Sequence, residues 1–187
     1  MRRVLYKALL SLFIFILTII SFSEEADKWN ALFGKTLADI ESIHYAPEGN
    51  ISARAGYAGQ CTWYTYGRFY EVTGIQLETA LHAKYWLVKN EEDERLNILY
   101  GESNIAYPAI AVSTTGAYGH VLFIEYVSMK DGKPENVYFT ECNWDGNGQY
   151  DEGKDAVLLR LPVDLFISFR KPDGYITAKS LSSLEDP

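Results

Sequence analysis

The hydrophobic period of this chain changes at Pro108. Before it, apolar residues recur at helical spacing. After it, they come in short runs separated by turn residues. Ala109–Ser113 reads as a buried strand, Gly119–Val127 as a second, Asn136–Trp144 as a third and Ala156–Leu161 as a fourth. Asp131-Gly132 marks a hairpin between the second and third. Leu165–Arg170 and Gly174-Tyr175-Ile176 are expected to close the sheet. Helices first and a strand meander afterwards restrict the chain to the α+β class, with N-terminal helices packed on an antiparallel β-sheet meander.

Upstream of Pro108, Trp29, Leu32, Phe33, Leu37 and Ile40 repeat as an amphipathic helix does, so residues 24–46 read as a helical lead-in, with His44 past the last of these apolar positions. Pro47, Gly49, Gly56 and Gly59 mark a loop. A helix is predicted from Cys61 to Val72, with Gly74 as its C-cap. A second helix is predicted over Leu77–Lys89, burying Leu77, Leu81, Tyr85 and Val88, with His82 structural or exposed. Glu91–Arg95 is a solvated turn, and 177–187 a frayed tail.

Residues 1–23 have the pattern of a secretory signal peptide. Arg2, Arg3 and Lys7 precede an apolar run, and Ser21-Phe22-Ser23 offers small residues at a cleavage site. An uncleaved anchor is the alternative, for which the run is short. The full chain carries 17 basic and 25 acidic residues, a net charge of −8, and cleavage would leave 14 basic residues and a net charge of −11. So acidic a surface argues against nucleic acid, whose phosphates need a basic face, and against electrostatic attachment to anionic membranes or cell walls. The expected location is secreted or periplasmic in a bacterium, with no stable membrane insertion after cleavage.

Chemistry concentrates in Gly59-Gln60-Cys61-Thr62-Trp63-Tyr64-Thr65-Tyr66-Gly67-Arg68. A thiol at a helix N-terminus faces unpaired N–H groups and the positive end of the dipole, both favouring thiolate. Cys61 is therefore a candidate nucleophile. A nucleophile needs a base, and the base an orienting group. His120 follows a glycine at the start of a strand. In Thr140-Glu141-Cys142-Asn143-Trp144, strand alternation puts Glu141 and Asn143 on one face and Cys142 on the other. Taken alone, His120 and Glu141 could equally be paired polar residues on a sheet face.

Gly-Gln-Cys61-Thr-Trp-Tyr, Gly-His120-Val and Glu141-Cys-Asn143-Trp, in that order, resemble the CHAP family of cysteine- and histidine-dependent amidohydrolases and peptidases. Ala83-Lys84-Tyr85-Trp86 and Gly174-Tyr175-Ile176 also resemble family elements, so the likeness spans about residues 47–176. It implies a papain-like catalytic domain in which Cys61 attacks an amide, His120 is base then acid and Glu141 orients His120. Asn143 would be an accessory polar group for the ring or the substrate. Peptidoglycan is the implied substrate, cut as an N-acetylmuramoyl-L-alanine amidase or a peptide-bond endopeptidase. An amidase of small γ-glutamyl or polyamine conjugates and a non-catalytic wall-binding module on the same fold are the alternatives. The Cys61 N–H is an expected oxyanion donor, with the Gln60 side chain as a second. Tyr64, Tyr118 and Trp144 are candidate groove residues, weighed evenly against plain packing. Cys142, turned away from Cys61 by the alternation, is expected to be a free buried thiol rather than half of a disulfide. No cofactor is implied. Gly49–Gln60 holds no Asp or Glu for calcium, and the loop from Asn143 ends at Lys154 where a calcium loop needs a bidentate Glu. No zinc spacing is present.

Overall fold

A computed structural model describes residues 24–79 and 81–179. Residues 24–32 are helical (α1). There follow α2 (Ile51–Arg54), α3 (Cys61–Thr73), a 3₁₀ turn (Ala83–Tyr85), α4 (Trp86–Lys89), β1 (Leu96–Tyr100), β2 (Ala109–Ser113), β3 (His120–Lys130), β4 (Lys133–Thr140), β5 (Leu159–Pro162), α5 (Val163–Arg170) and β6 (Gly174–Ala178). The six strands form one antiparallel sheet in the order β1-β6-β2-β3-β4-β5. The α+β class is the one the change of period implies, although β6 entering between β1 and β2 makes the sheet more than a meander. The β3–β4 hairpin turns at Asp131-Gly132, both at positive φ.

Both faces of the central strands are covered, so β2 is buried along its whole length. Ile110, Val112, Val121 and Phe123 point to one face, where Tyr66 and Phe69 of α3 meet Trp86 and Leu87 of α4. Ala109, Ala111, Leu122 and Ile124 point to the other, closed by Phe166 of α5 against Phe139. Helix α3 is enclosed nearly all round, with residues 62–67 and Phe69 all buried. It ends at Gly74 in the left-handed conformation, as the sequence predicts.

Four expectations change. The lead-in is helical only to residue 32; Leu37 and Ile40 pack from irregular chain, Leu37 with Trp29 and Leu32 against Tyr126, Tyr138 and Leu158. The helix expected over Leu77–Lys89 begins at Ala83, because the Lys84 N–H is held by the Tyr118 carbonyl at 3.0 Å. Its phase therefore shifts: Trp86 and Leu87 are buried, and Leu81, Tyr85 and Val88 are exposed. Residues 163–170 are helix rather than strand, burying Phe166 and leaving Leu165 and Phe169 outside. Strand β1, unforeseen, pairs with β6. The expected signal segment and the end of the expected tail lie outside the described residues. Among the described residues no helix is long and apolar enough to cross a membrane.

Candidate active site

Helix α3 starts at Cys61. Gln60 is its N-cap in extended backbone, φ −89° and ψ 160°, and makes no side-chain capping bond. Cys61 is thus the first helical residue, and its N–H is among the donors that no helical carbonyl satisfies. No acidic residue in the first turn offsets the positive end of the helix. This end opens into a cleft of about 600 Å³ whose walls include Gln60, Cys61, Tyr118, His120, Asn143 and Trp144.

His120 begins β3 beside that helix end. Gly119 before it, at φ +74°, has no room for a side chain: a Cβ would stand 2.5 Å from Lys84 N and 2.6 Å from Ser113 O. The sheet end can therefore dock on the 83–85 turn and carry the imidazole to the thiol. His120 lines the same cleft as Cys61, and its Nε2 lies 3.1 Å from Glu141 Oε2. Burial pushes the Cys61 thiol up. The bond and charge of His120, with backbone bonds from Val121 and Thr62, outweigh this and hold it below the ordinary thiol range. Burial acts on His120 in the opposite sense, but its bonds to Cys61 and Glu141 and their charges raise it to about 9. Both shifts favour the thiolate–imidazolium form, the state in which a thiol is nucleophilic.

Glu141 is buried and has a second partner, Arg170, the last residue of α5. Arg170 Nε donates to Glu141 Oε2 at 3.0 Å, and Nη2 donates to Oε1. The guanidinium also lies 3.8 Å from the ring centroid of Trp144, whose indole meets His120 edge-on at 5.0 Å. Arg170 therefore joins the group behind the imidazole to a wall of the cleft. No motif singled it out. Its one signal is position: Val163, Phe166, Ile167 and Arg170 fall on one face when 163–170 are read with a helical period. Arg170→Met is expected to lower kcat roughly 10–100-fold, the range for losing a group that orients a functional side chain. Trp144 emission should also shift to the red as the ring loses its cover. Steady-state kinetics on solubilised peptidoglycan fragments and a fluorescence spectrum check both.

The remaining candidates divide. Asn143 lines the cleft but does not bond the His120 ring. Strand β4 ends at Thr140, and Asn143 has φ +56°, so alternation no longer governs it. Its Nδ2 donates to Gln60 Oε1 at 2.7 Å. Cys142 is buried and free, its Sγ 3.3 Å from the Gly59 carbonyl, and Cys61 is free as well. Tyr118 and Trp144 line the cleft and are largely exposed, whereas Tyr64 is fully buried against Tyr45 and contributes nothing to the groove. A residue inside an enclosed helix has no face for substrate. His82, read as structural or exposed, lies exposed on the rim, its ring 4.7 Å from that of Tyr118. In the loop after Asn143, the Lys154 ammonium sits between the Asp145 and Asp151 carboxylates. Among the described residues no group of three or more His, Cys, Asp or Glu could hold a metal ion.

The family model of the CHAP domain matches residues 52–143, a stretch that contains Cys61, His120, Glu141 and Asn143. CHAP domains are typically amidohydrolases or peptidases acting on peptidoglycan-type substrates. No curated protein sequence matches the chain. The crystal structure of Ly7917 aligns at a TM-score of 0.41 and 16% identity, over 75% of this chain and 63% of that one. The chain thus spans less than two thirds of that protein. Residues 52–143 of this chain are a CHAP domain.

Proposed function

We propose that the chain is an exported cysteine hydrolase that cleaves an amide bond of peptidoglycan through an acyl-enzyme on Cys61. The observation that carries this reading is Cys61 at the start of α3, in one cleft with a His120 whose Nε2 lies 3.1 Å from Glu141 Oε2. Residues 47–176 are the catalytic domain, 24–46 a lead-in packed on it and 1–23 the export signal. The apolar contacts of Trp29, Leu32 and Leu37 with the sheet support the role of the lead-in.

The Cys61 thiolate attacks the amide carbonyl carbon, forming the C–S bond. The oxygen gains negative charge beside the Cys61 N–H and the Gln60 side chain. His120 gives its proton to the amide nitrogen as the C–N bond breaks, and the amine leaves. Water then attacks the thioester with His120 as base, releasing the carboxylic acid and the thiol.

The test is digestion of purified peptidoglycan with mass spectrometry of the products. New amino groups on L-alanine indicate the muramoyl amidase reaction, and new termini inside the stem or bridge an endopeptidase. Cys61→Ala is expected to release nothing. Release by wild type no greater than by Cys61→Ala would overturn the reading.

A further inference from the structure

Three amides form a directed hydrogen-bond chain beside Cys61. The Gly148 N–H donates to Asn143 Oδ1 at 2.8 Å, and Asn143 Nδ2 donates to Gln60 Oε1 at 2.7 Å. A backbone N–H can only donate. It therefore turns the Asn143 amide oxygen toward Gly148 and the nitrogen toward Gln60. The same logic turns the Gln60 oxygen toward Asn143. The Nε2 of Gln60 is left over: it has no acceptor among the described residues, the side chain takes no part in capping α3, and the residue lines the cleft.

The loop that carries this chain lies hard against the residues before the nucleophile. A Cβ on Gly148, itself at φ +79°, would stand 3.2 Å from Gln60 Nε2. A Cβ on Gly59 would stand 3.0 Å from Tyr150 N. Asn143 is pinned from behind as well, its own N–H donating to the buried Asp155 at 3.0 Å. A pinned Asn143 leaves Gln60 one favourable amide orientation. The reverse orientation would set two N–H groups against each other and aim a carbonyl oxygen at the cleft.

We infer that Asn143 is a positioning residue that acts through Gln60 rather than through His120, selecting the orientation of the Gln60 amide in which Nε2 faces the oxygen of the carbonyl under attack. The inference rests on the acyl-transfer reading of Cys61. It assigns Asn143 to stabilisation of the tetrahedral intermediate, with no part in moving the proton.

Asn143→Asp tests it. The aspartate keeps the shape and still accepts from Gly148, but offers Gln60 no N–H. Gln60 then donates Nε2 to the carboxylate and turns Oε1 to the cleft. On solubilised peptidoglycan fragments, kcat for amine release should fall about 10²–10³-fold, the loss seen when an oxyanion donor is removed. Gln60→Ala should fall by the same order, and Gln60→Ala/Asn143→Asp no further than Gln60→Ala alone, since both changes remove one interaction. Asn143→Ala separates the lost N–H from the added charge and should also lower kcat. Iodoacetamide alkylation of Cys61 needs the thiolate but no oxyanion donor. It should proceed at the wild-type rate in Gln60→Ala and Asn143→Ala. Wild-type release no greater than that of Cys61→Ala would sink the acyl-transfer reading, and the inference with it. With that reading intact, the inference alone is overturned by three results: wild-type kcat in Gln60→Ala or Asn143→Asp, multiplication of the two effects in the double variant, or alkylation falling in step with kcat.

Discussion

Replacing His120 with alanine is expected to lower kcat on the order of 10⁴–10⁶-fold, the range for losing the base of a nucleophile–base pair. It should also move the Cys61 thiol upward. Burial is the largest influence on that thiol and raises it; the bond and charge of His120 are what reverse the sign. Without the imidazole, the backbone bonds from Val121 and Thr62 and the positive end of α3 are left to oppose burial. Iodoacetamide alkylation measured against pH reads this directly. In the wild type, alkylation should already be fast below the ordinary thiol range. The paired form should persist until His120 loses its proton at about 9. In His120→Ala the curve should move to higher pH. The linkage has the same sign. His120 is raised from 6.5, so its contribution to stability is whole below 6.5 and disappears as pH rises through about 9. Cys61→Ala/His120→Ala should be no slower than either single variant, because the two residues act as a unit. Identical alkylation curves for wild type and His120→Ala would show that the pair does not form.

The positions of Cys61 and His120 were legible from local rules, a thiol before a helical run and a histidine after a glycine at a strand start, but only their order along the chain with Glu141 and Asn143, which resembles the CHAP family, joined them into one site. Alternation put Glu141 and Asn143 on one face, and the resemblance gave Glu141 its expected role; the strand ends at Thr140, yet Glu141, one residue on, still meets His120. Asn143 was one step too far. Asparagine tolerates the left-handed backbone better than most residues, and the Gly-rich loop after it needs a turn there. Once φ is +56°, the side chain leaves the Glu141 side and meets Gln60. Arg170 was hidden for another reason. Val-Asp-Leu-Phe-Ile-Ser-Phe-Arg is rich in residues that favour strands, and alternation fits it as well as helical spacing does. Tertiary contact decides it: Phe166 meets Phe139, and the same helical face brings Arg170 to Glu141.

The sheet was readable where strands are covered on both faces, since burial forces the continuous apolar runs of β2 and β3. Edge strand β1 has no such requirement. Only Leu96 in it is buried, and its sequence carries no comparable run. The second helix was misplaced because periodicity gives a face but not a starting point. The start is set by Lys84 bonding to Tyr118, a contact thirty-four residues away in sequence.

Arg68→Met is expected to cost about 3–5 kcal/mol of folding stability, the usual penalty for removing one partner of a buried ion pair. Arg68 sits two turns along α3 from Cys61, and Glu125 sits five residues along β3 from His120. The two pair through Nε–Oε1 at 2.8 Å and Nη2–Oε2 at 2.9 Å, with Glu125 side-chain exposure of only 3%. Glu125 lies where the β3–β4 register shifts, between Ile124 and Tyr126, and also accepts from Thr140 at 2.9 Å. Removing Arg68 leaves that carboxylate enclosed with a hydroxyl as its remaining partner. For a chain of this size the loss corresponds to roughly 6–20 °C in Tm. Arg68→Met/Glu125→Leu removes the enclosed pair and should recover most of it; Glu71, which Arg68 Nη1 also bonds at 2.9 Å, is more open to solvent and keeps the Tyr45 hydroxyl as a donor. Calorimetry on the three proteins decides the matter; an Arg68→Met variant melting with the wild type would mean that solvent reaches the pair. The same bond ties the helix that carries Cys61 to the strand that carries His120. The double variant should therefore regain Tm yet keep a lower kcat, because apolar packing restores cohesion without fixing how far α3 slides along β3. Recovery of stability without recovery of rate would separate the part of this latch that holds the fold from the part that sets the Cys61–His120 distance.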